Sequence, residues 1–182
     1  MIYPPAEDSY LLSDTLKNFL KNKKKTIKIL DMGSGSGIQA KTCLELGFKN
    51  VLCADINPEV IEYLNSEKLK TIHTDLFEKI KTKFDLIIFN APYLPEDKNE
   101  PEDSRWATTG GKKGYEIILK FLEHSQKHLN SSGKILLLFS SLSKPQIILS
   151  FAKKQGYNFN LLSNLKIPFE ELFVYKFELS CS

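Results

Sequence analysis

The run Asn90-Ala91-Pro92-Tyr93 holds the most readable chemistry in this chain. An asparagine side-chain oxygen and the backbone carbonyl of the next residue can together accept both hydrogens of a planar NH2 group. Held in this way, the nitrogen lone pair turns out of conjugation and toward a donor bound beside it. Pro92 stiffens the turn, and Tyr93 offers a face on which a flat amide or base can stack. Turns bearing asparagine and proline are also common with no chemistry attached. This one directly follows the apolar run 84–89, at the end of an expected strand, where open α/β sheets bind ligands.

Three further turns share that placement. Asp31-Met32-Gly33-Ser34-Gly35-Ser36-Gly37 leaves an apolar run and enters a helical pattern, and glycines there let the backbone turn sharply under a ligand. Ile38 stands where a dinucleotide fingerprint needs glycine or alanine, and no phosphate-cradling lysine follows, so neither NAD nor a P-loop nucleotide is indicated. Asp55 lies 22 residues beyond Gly33, where a carboxylate accepts from both hydroxyls of a ribose. At Asp75-Leu76 an acidic side chain can receive an adenine amino group while the next amide faces a ring nitrogen. Together these turns suggest a nucleoside without a pyrophosphate.

The elements that must position them follow from periodicity. Strands are expected at 27–31, 51–55, 70–74, 84–89 and 134–139, with near-continuous apolar runs suited to a parallel sheet buried on both faces. Helices are expected at 37–46, at 58–68 with Asn57 as N-cap and Pro58 at the first position, at 115–129, and at 143–155 before Gly156. The 115–129 helix would carry Ile118, Phe121, Leu122 and Leu129 on one face. A further helix, 6–21, should lie across the top of the sheet. Strands 158–165 and 172–179 would close the chain around a turn at Pro168. The pattern is α/β and doubly wound: a seven-stranded, mostly parallel sheet with a C-terminal antiparallel hairpin.

The chain of 182 residues suits one domain, with 1–24 as a segment capping substrate and cofactor and 25–182 as the core. The long loop 94–114, rich in acid, proline and glycine, reads as a functional lid. His124 and His128 stand four apart with no third ligand in sight, so a solvated helix flank is expected and no metal. Arg105 is the sole arginine, which weighs against reading of base edges. Cys43, Cys53 and Cys181 have no paired spacing and fit free thiols in a reducing compartment. With no leader-like start and no apolar run of about 20 residues, a cytoplasmic protein away from membranes is expected.

These residues resemble the class I S-adenosylmethionine-dependent methyltransferases, and among them the eukaryotic and archaeal type of release factor glutamine methyltransferase, related to HemK. The likeness covers almost the whole chain. Tyr3-Pro4-Pro5-Ala6-Glu7-Asp8-Ser9-Tyr10-Leu11-Leu12 is similar to the family's opening, 33–37 to its glycine loop and Asp55-Ile56-Asn57-Pro58 to its ribose turn. Trp106-Ala107, Gly110-Gly111 and Gly114 are similar to its lid, and 171–177 to its final strand. The resemblance implies a Rossmann-like fold, S-adenosyl-L-methionine as cofactor, and Ser9, Asp31, Gly33, Gly35, Asp55, Asp75, Leu76 and Asn90 around it. It implies Asn90, Ala91, Pro92 and Tyr93 as the catalytic motif, and a small zinc-binding activator protein as partner. Two features depart from the family: Ala91 replaces the first proline of Asn-Pro-Pro-Tyr, and Thr108-Thr109 extend the lid.

The function so implied is methylation of the glutamine side-chain amide in the Gly-Gly-Gln loop of a class I peptide release factor. One rival is methylation of an exocyclic amine of adenine or guanine in RNA or DNA. The other is a catalytically silent scaffold of the same fold, against which the intact Asn90–Tyr93 motif argues.

Overall fold

The computed structural model describes residues 4–96 and 108–180. Tyr3 of the opening, Arg105, Trp106 and Ala107 of the lid, and Cys181 lie outside the described residues. In chain order the elements are α1 (Glu7–Leu20), β1 (Ile29–Met32), α2 (Ile38–Glu45), β2 (Val51–Asp55), α3 (Pro58–Ser66), β3 (Thr71–His73) and β4 (Phe84–Asn90). They continue with α4 (Glu116–Ser125), β5 (Leu129–Ser140), α5 (Pro145–Lys154), β6 (Tyr157–Ile167) and β7 (Glu170–Leu179). The strands form one seven-stranded sheet in the order β3-β2-β1-β4-β5-β7-β6. The first five run parallel, and β7 lies antiparallel between β5 and β6.

Alternation within the central strands builds two cores. Leu86 and Ile88 of β4 and Leu136 and Leu138 of β5 face α1, α2 and α3. Ile87 and Phe89, with Ile135, Leu137 and Phe139, face α4 and α5. Both sets are at most 2% exposed, which is why these strands read as unbroken apolar runs. Asn57 caps α3 as expected, its side chain accepting from Glu59 N (2.9 Å) ahead of Pro58.

Two expectations about helices are corrected. α1 does not lie across the top of the sheet. Leu12, Leu16 and Leu20 form a stripe buried in the core on the α2 and α3 side of the sheet, and the helix packs beside α2, with Ser13 Oγ and Thr42 Oγ1 bonded at 2.8 Å. Only its first turn reaches the carboxyl ends of the strands. The helix expected over 115–129 ends at Ser125, and a single 3-10 turn leads into β5, whose first residue is Leu129. Leu129 pairs with Phe84, and a bulge follows before Lys134 meets Leu86. Its apolar side chain fits either period, and pairing with β4 decides the matter. His128, also placed on that helix, stacks on Phe77 (ring centroids 4.7 Å, 9°), and its Nδ1 pairs with Thr82 O (3.2 Å).

Candidate active site

A cavity of about 1050 Å³ opens at the carboxyl ends of β1, β2, β3 and β4. It sits where the strand order reverses, between β1 and β4, the usual ligand crevice of an open α/β sheet. Ser9, Asp31, Gly33, Gly35, Asp55, Asp75, Leu76, Asn90, Pro92 and Tyr93 all line it. Ala91, between Asn90 and Pro92 of that lining, is 2% exposed with its side chain in the core.

Asp55 ends β2 and organises the glycine loop. Its Oδ2 accepts from Gly35 N (3.0 Å) and its Oδ1 from Asn57 N (2.9 Å). Burial raises its carboxyl above the usual range, and those amides oppose the rise. Gly37 N-caps α2 at φ 75°, where a Cβ would come within 2.7 Å of Leu64, so glycine is required there. Asp75 forms an ion pair with Lys120 (2.9 Å), a partner on α4 that no pattern in the sequence announced. Leu76 takes a left-handed conformation (φ 44°), uncommon for a leucine.

Asp31 is buried at the end of β1. Burial pushes its carboxyl up to about 8; the Ala40 amide (3.2 Å) opposes that rise and nearby Asp55 adds to it. An unfolded aspartate releases its proton near pH 4, whereas this one keeps it to about pH 8. The folded chain therefore binds more protons across that interval, and its stability should fall as pH rises from about 4 to 8. Asp31→Asn should flatten this decline, read as urea midpoints at each pH without cofactor. Parallel curves for the two proteins would exclude Asp31 as the source.

Around Asn90–Tyr93 the decisive geometry concerns two amides. Among the described residues, the buried side-chain polar atoms without a hydrogen-bond partner are Gln39 Oε1 and Asn90 Oδ1. Both residues line the cavity. Their NH2 groups are engaged at the first turn of α1: Asn90 Nδ2 donates to Asp8 Oδ2 (3.0 Å), and Gln39 Nε2 donates to Ser9 O (2.9 Å). An unpaired buried acceptor is costly, so each oxygen points to a donor that a ligand brings. Tyr93 is half-buried beside Asp8 and Glu170, and burial with those charges holds its hydroxyl neutral. Asp8 and Gln39 were absent from the sequence-derived site, although Asp8 lies within the opening segment singled out there.

The loop after Tyr93 is fastened at both ends. Leu94 bridges Thr109 in parallel, with Leu94 N donating to Thr108 O (2.8 Å) and Gly110 N to Leu94 O (2.9 Å). A Cβ on Gly110 would come within 2.6 Å of Pro92 O, so the returning backbone closes directly onto the turn at Pro92. His124 and His128 take no part: among the described residues, no group of three or more His, Cys, Asp or Glu could hold a metal ion.

Residues 6–152 match the model of the methyltransferase domain family. The chain belongs to the methyltransferase family. The methyltransferase is 37% identical over 181 residues to a Methanocaldococcus jannaschii protein named as a protein N5-glutamine methyltransferase, covering 95% of this chain and 89% of that one. It is 29% identical over 195 residues to human methyltransferase HEMK2, covering 98% and 90%. Among solved structures it resembles the E. cuniculi Mtq2-Trm112 complex, responsible for methylation of the eRF1 translation termination factor, with a TM-score of 0.79, 26% identity and 98% of each chain covered. The strand order, with its antiparallel C-terminal pair, is the Rossmann-like methyltransferase fold expected from the sequence.

In this methyltransferase Ala91 should matter through its carbonyl alone. Ala91→Pro is expected to keep turnover within about threefold, while the added ring in a packed site lowers stability by about 1 kcal/mol. Turnover assays and urea unfolding of the same preparation check both. A turnover loss as deep as that from removing the Asn90 side chain would mean that the backbone path at residue 91 is itself critical.

Proposed function

We propose that this methyltransferase binds S-adenosyl-L-methionine and methylates the side-chain amide nitrogen of a glutamine, that of the Gly-Gly-Gln loop in a class I peptide release factor. The observation that carries the reading is the buried, unpartnered Asn90 Oδ1, with its NH2 end tied to Asp8. An acceptor so placed calls for an incoming N–H donor beside the cofactor crevice. The relatives' names, and the eRF1 methylation attributed to the E. cuniculi complex, support the same substrate.

The cavity residues fit the cofactor. Asp55 would take the ribose hydroxyls and Asp75 with Leu76 the adenine edge. Ser9, Asp31, Gly33 and Gly35 would surround the amino-acid end, with Gln39 Oε1 free to accept from its ammonium. When bound, the cofactor supplies a methyl group on a sulfonium leaving group. The chain's own task is alignment. Asn90 Oδ1 and the Ala91 carbonyl hold the two amide hydrogens, the lone pair turns out of conjugation, and Tyr93 stacks on the flat group. No strong base is needed, because the nitrogen proton becomes acidic only after the methyl has transferred.

Glu7, Asp8, Glu96 and Glu170 also line the cavity and outnumber its two lysines, Lys112 and Lys120, the second of them paired with Asp75. Carboxylates there repel a phosphate backbone, which favours a peptide over the rival nucleic-acid amine. The partner expected from the sequence, a small zinc-binding activator, would dock at β3, the strand that ends the sheet on one side; the E. cuniculi structure, a complex of Mtq2 with Trm112, supports a partner protein. A release factor substrate places the work in the cytoplasm.

The test is transfer from methyl-labelled S-adenosylmethionine to release factor, to a release factor with its Gly-Gly-Gln glutamine replaced, and to RNA or DNA, each with and without the partner. Label confined to the intact release factor is expected, with more of it when the partner is present. Label in nucleic acid would overturn the substrate. Cofactor binding with no transfer to any substrate would favour the scaffold reading.

A further inference from the structure

We infer that Asp8 is a positioning residue for methyl transfer: its carboxylate decides which end of the Asn90 amide faces the cavity. The inference rests on the reading of Asn90 as the acceptor of the target nitrogen, and goes beyond it by naming what orients that acceptor.

An asparagine side chain has an oxygen end and an NH2 end of nearly the same shape. At the mouth of β4 either could point at the substrate. Only the oxygen can accept a substrate N–H, so a flipped Asn90 would present donors to donors. Nothing in the covalent geometry of residue 90 prevents the flip. A carboxylate neighbour does, because it accepts and cannot donate.

Asp8 meets that requirement. Its Oδ2 takes Asn90 Nδ2 at 3.0 Å across 82 residues of sequence. Its other oxygen is occupied by its own helix: Ser9 N donates to Oδ1 at 2.6 Å and Ser9 Oγ at 3.2 Å. The first turn of α1 thus holds the carboxylate from one side, and the carboxylate holds the amide from the other. That turn is anchored in turn by Gln39, whose Nε2 bonds Ser9 O, and by the buried stripe of Leu12, Leu16 and Leu20 below it. Asn90 Oδ1 is left buried and without a partner, on a residue that lines the cavity. The hydrogen bond is charge-assisted, so it also strengthens the oxygen as an acceptor by polarising the amide.

Asn at position 8 has the same shape as Asp but can pair with either end of the Asn90 amide. A role that depends on shape is rescued by Asp8→Asn; a role that depends on acceptor-only chemistry is not. The experiment is single-turnover methylation of release factor by the full chain with its partner. It uses Asp8→Asn, Asp8→Ala, Asn90→Ala and the two double variants, with S-adenosylmethionine affinity measured by calorimetry on each as the check that the fold and cofactor site persist. Asp8→Asn should slow turnover about threefold to tenfold, the worth of one hydrogen bond made unselective. Asp8→Ala should slow it on the order of tenfold to a hundredfold through misplacement of the acceptor. Cofactor affinity should stay within about twofold in both.

In the Asn90→Ala background the Asp8 substitutions should add no further loss, because a residue acting through Asn90 has nothing left to orient. Full turnover in Asp8→Asn, or an Asp8→Ala loss that persists beside Asn90→Ala, overturns the inference. Normal turnover in Asn90→Ala alone would instead overturn the underlying reading of the motif.

Discussion

Asn90→Ala should lower methyl-transfer turnover on the order of 100- to 1000-fold, a far larger effect than its effect on cofactor affinity. The size follows from what the side chain does at each stage. In the bound ground state the target amide is still conjugated, and its hydrogens meet Asn90 Oδ1 loosely. As the lone pair turns toward the methyl group, the nitrogen becomes more positive and its hydrogens better donors. The contact therefore strengthens toward the transition state, and such contacts govern turnover more than binding. The oxygen is buried and unpartnered, so its capacity as an acceptor is unspent before the substrate amide arrives. Rapid-quench turnover at saturating substrate is the measurement. A variant that retained near-normal turnover would show that methyl transfer happens elsewhere.

Asp55→Ala should do the opposite, weakening S-adenosylmethionine on the order of 100-fold while sparing turnover at saturation. Two hydrogen bonds to a charged acceptor are each worth about 1.5–3 kcal/mol, and the lower end for both already gives that factor. Ribose contacts are made equally in the ground and transition states, so the loss falls on affinity. Part of it has a second origin: the same carboxylate ties Gly35 N of the glycine loop to Asn57 N of the turn after β2, and without it both turns lose that fastening. Asp55→Asn keeps one acceptor oxygen and should fall between. Calorimetric titration distinguishes the three proteins. Affinity within threefold of the parent in Asp55→Ala would mean that the ribose does not lie against β2.

The sequence made the sheet legible because strands buried on both faces leave unbroken apolar runs, as 84–89 does, and because the carboxyl ends of those runs carry the polar turns. It misjudged the end of α4, since Leu129 suits the helical face of Ile118, Phe121 and Leu122 as well as the start of a strand. It misjudged the seat of α1 for a related reason: a stripe of leucines announces a buried face but not which surface buries it. At the site, backbone-defined positions such as Gly33 and Asp55 were readable from spacing. Asp8, Gln39 and Lys120 were not, because their roles arise from partners 82, 30 and 45 residues away. Orientation of an amide is a tertiary property, and no local pattern encodes it.

The place of β7 bears on how the protein is made. β7, the last of the seven described strands in sequence order, is an interior strand of the sheet, paired with β5 on one side and β6 on the other, and Leu172, Val174 and Phe177 on it are fully buried. During synthesis β5 emerges with one edge open, and no later segment can fill that edge until residues 170–179 have left the ribosome. A nascent or prematurely terminated chain therefore presents a long apolar strand edge, the kind of surface that pairs with other chains or recruits chaperones.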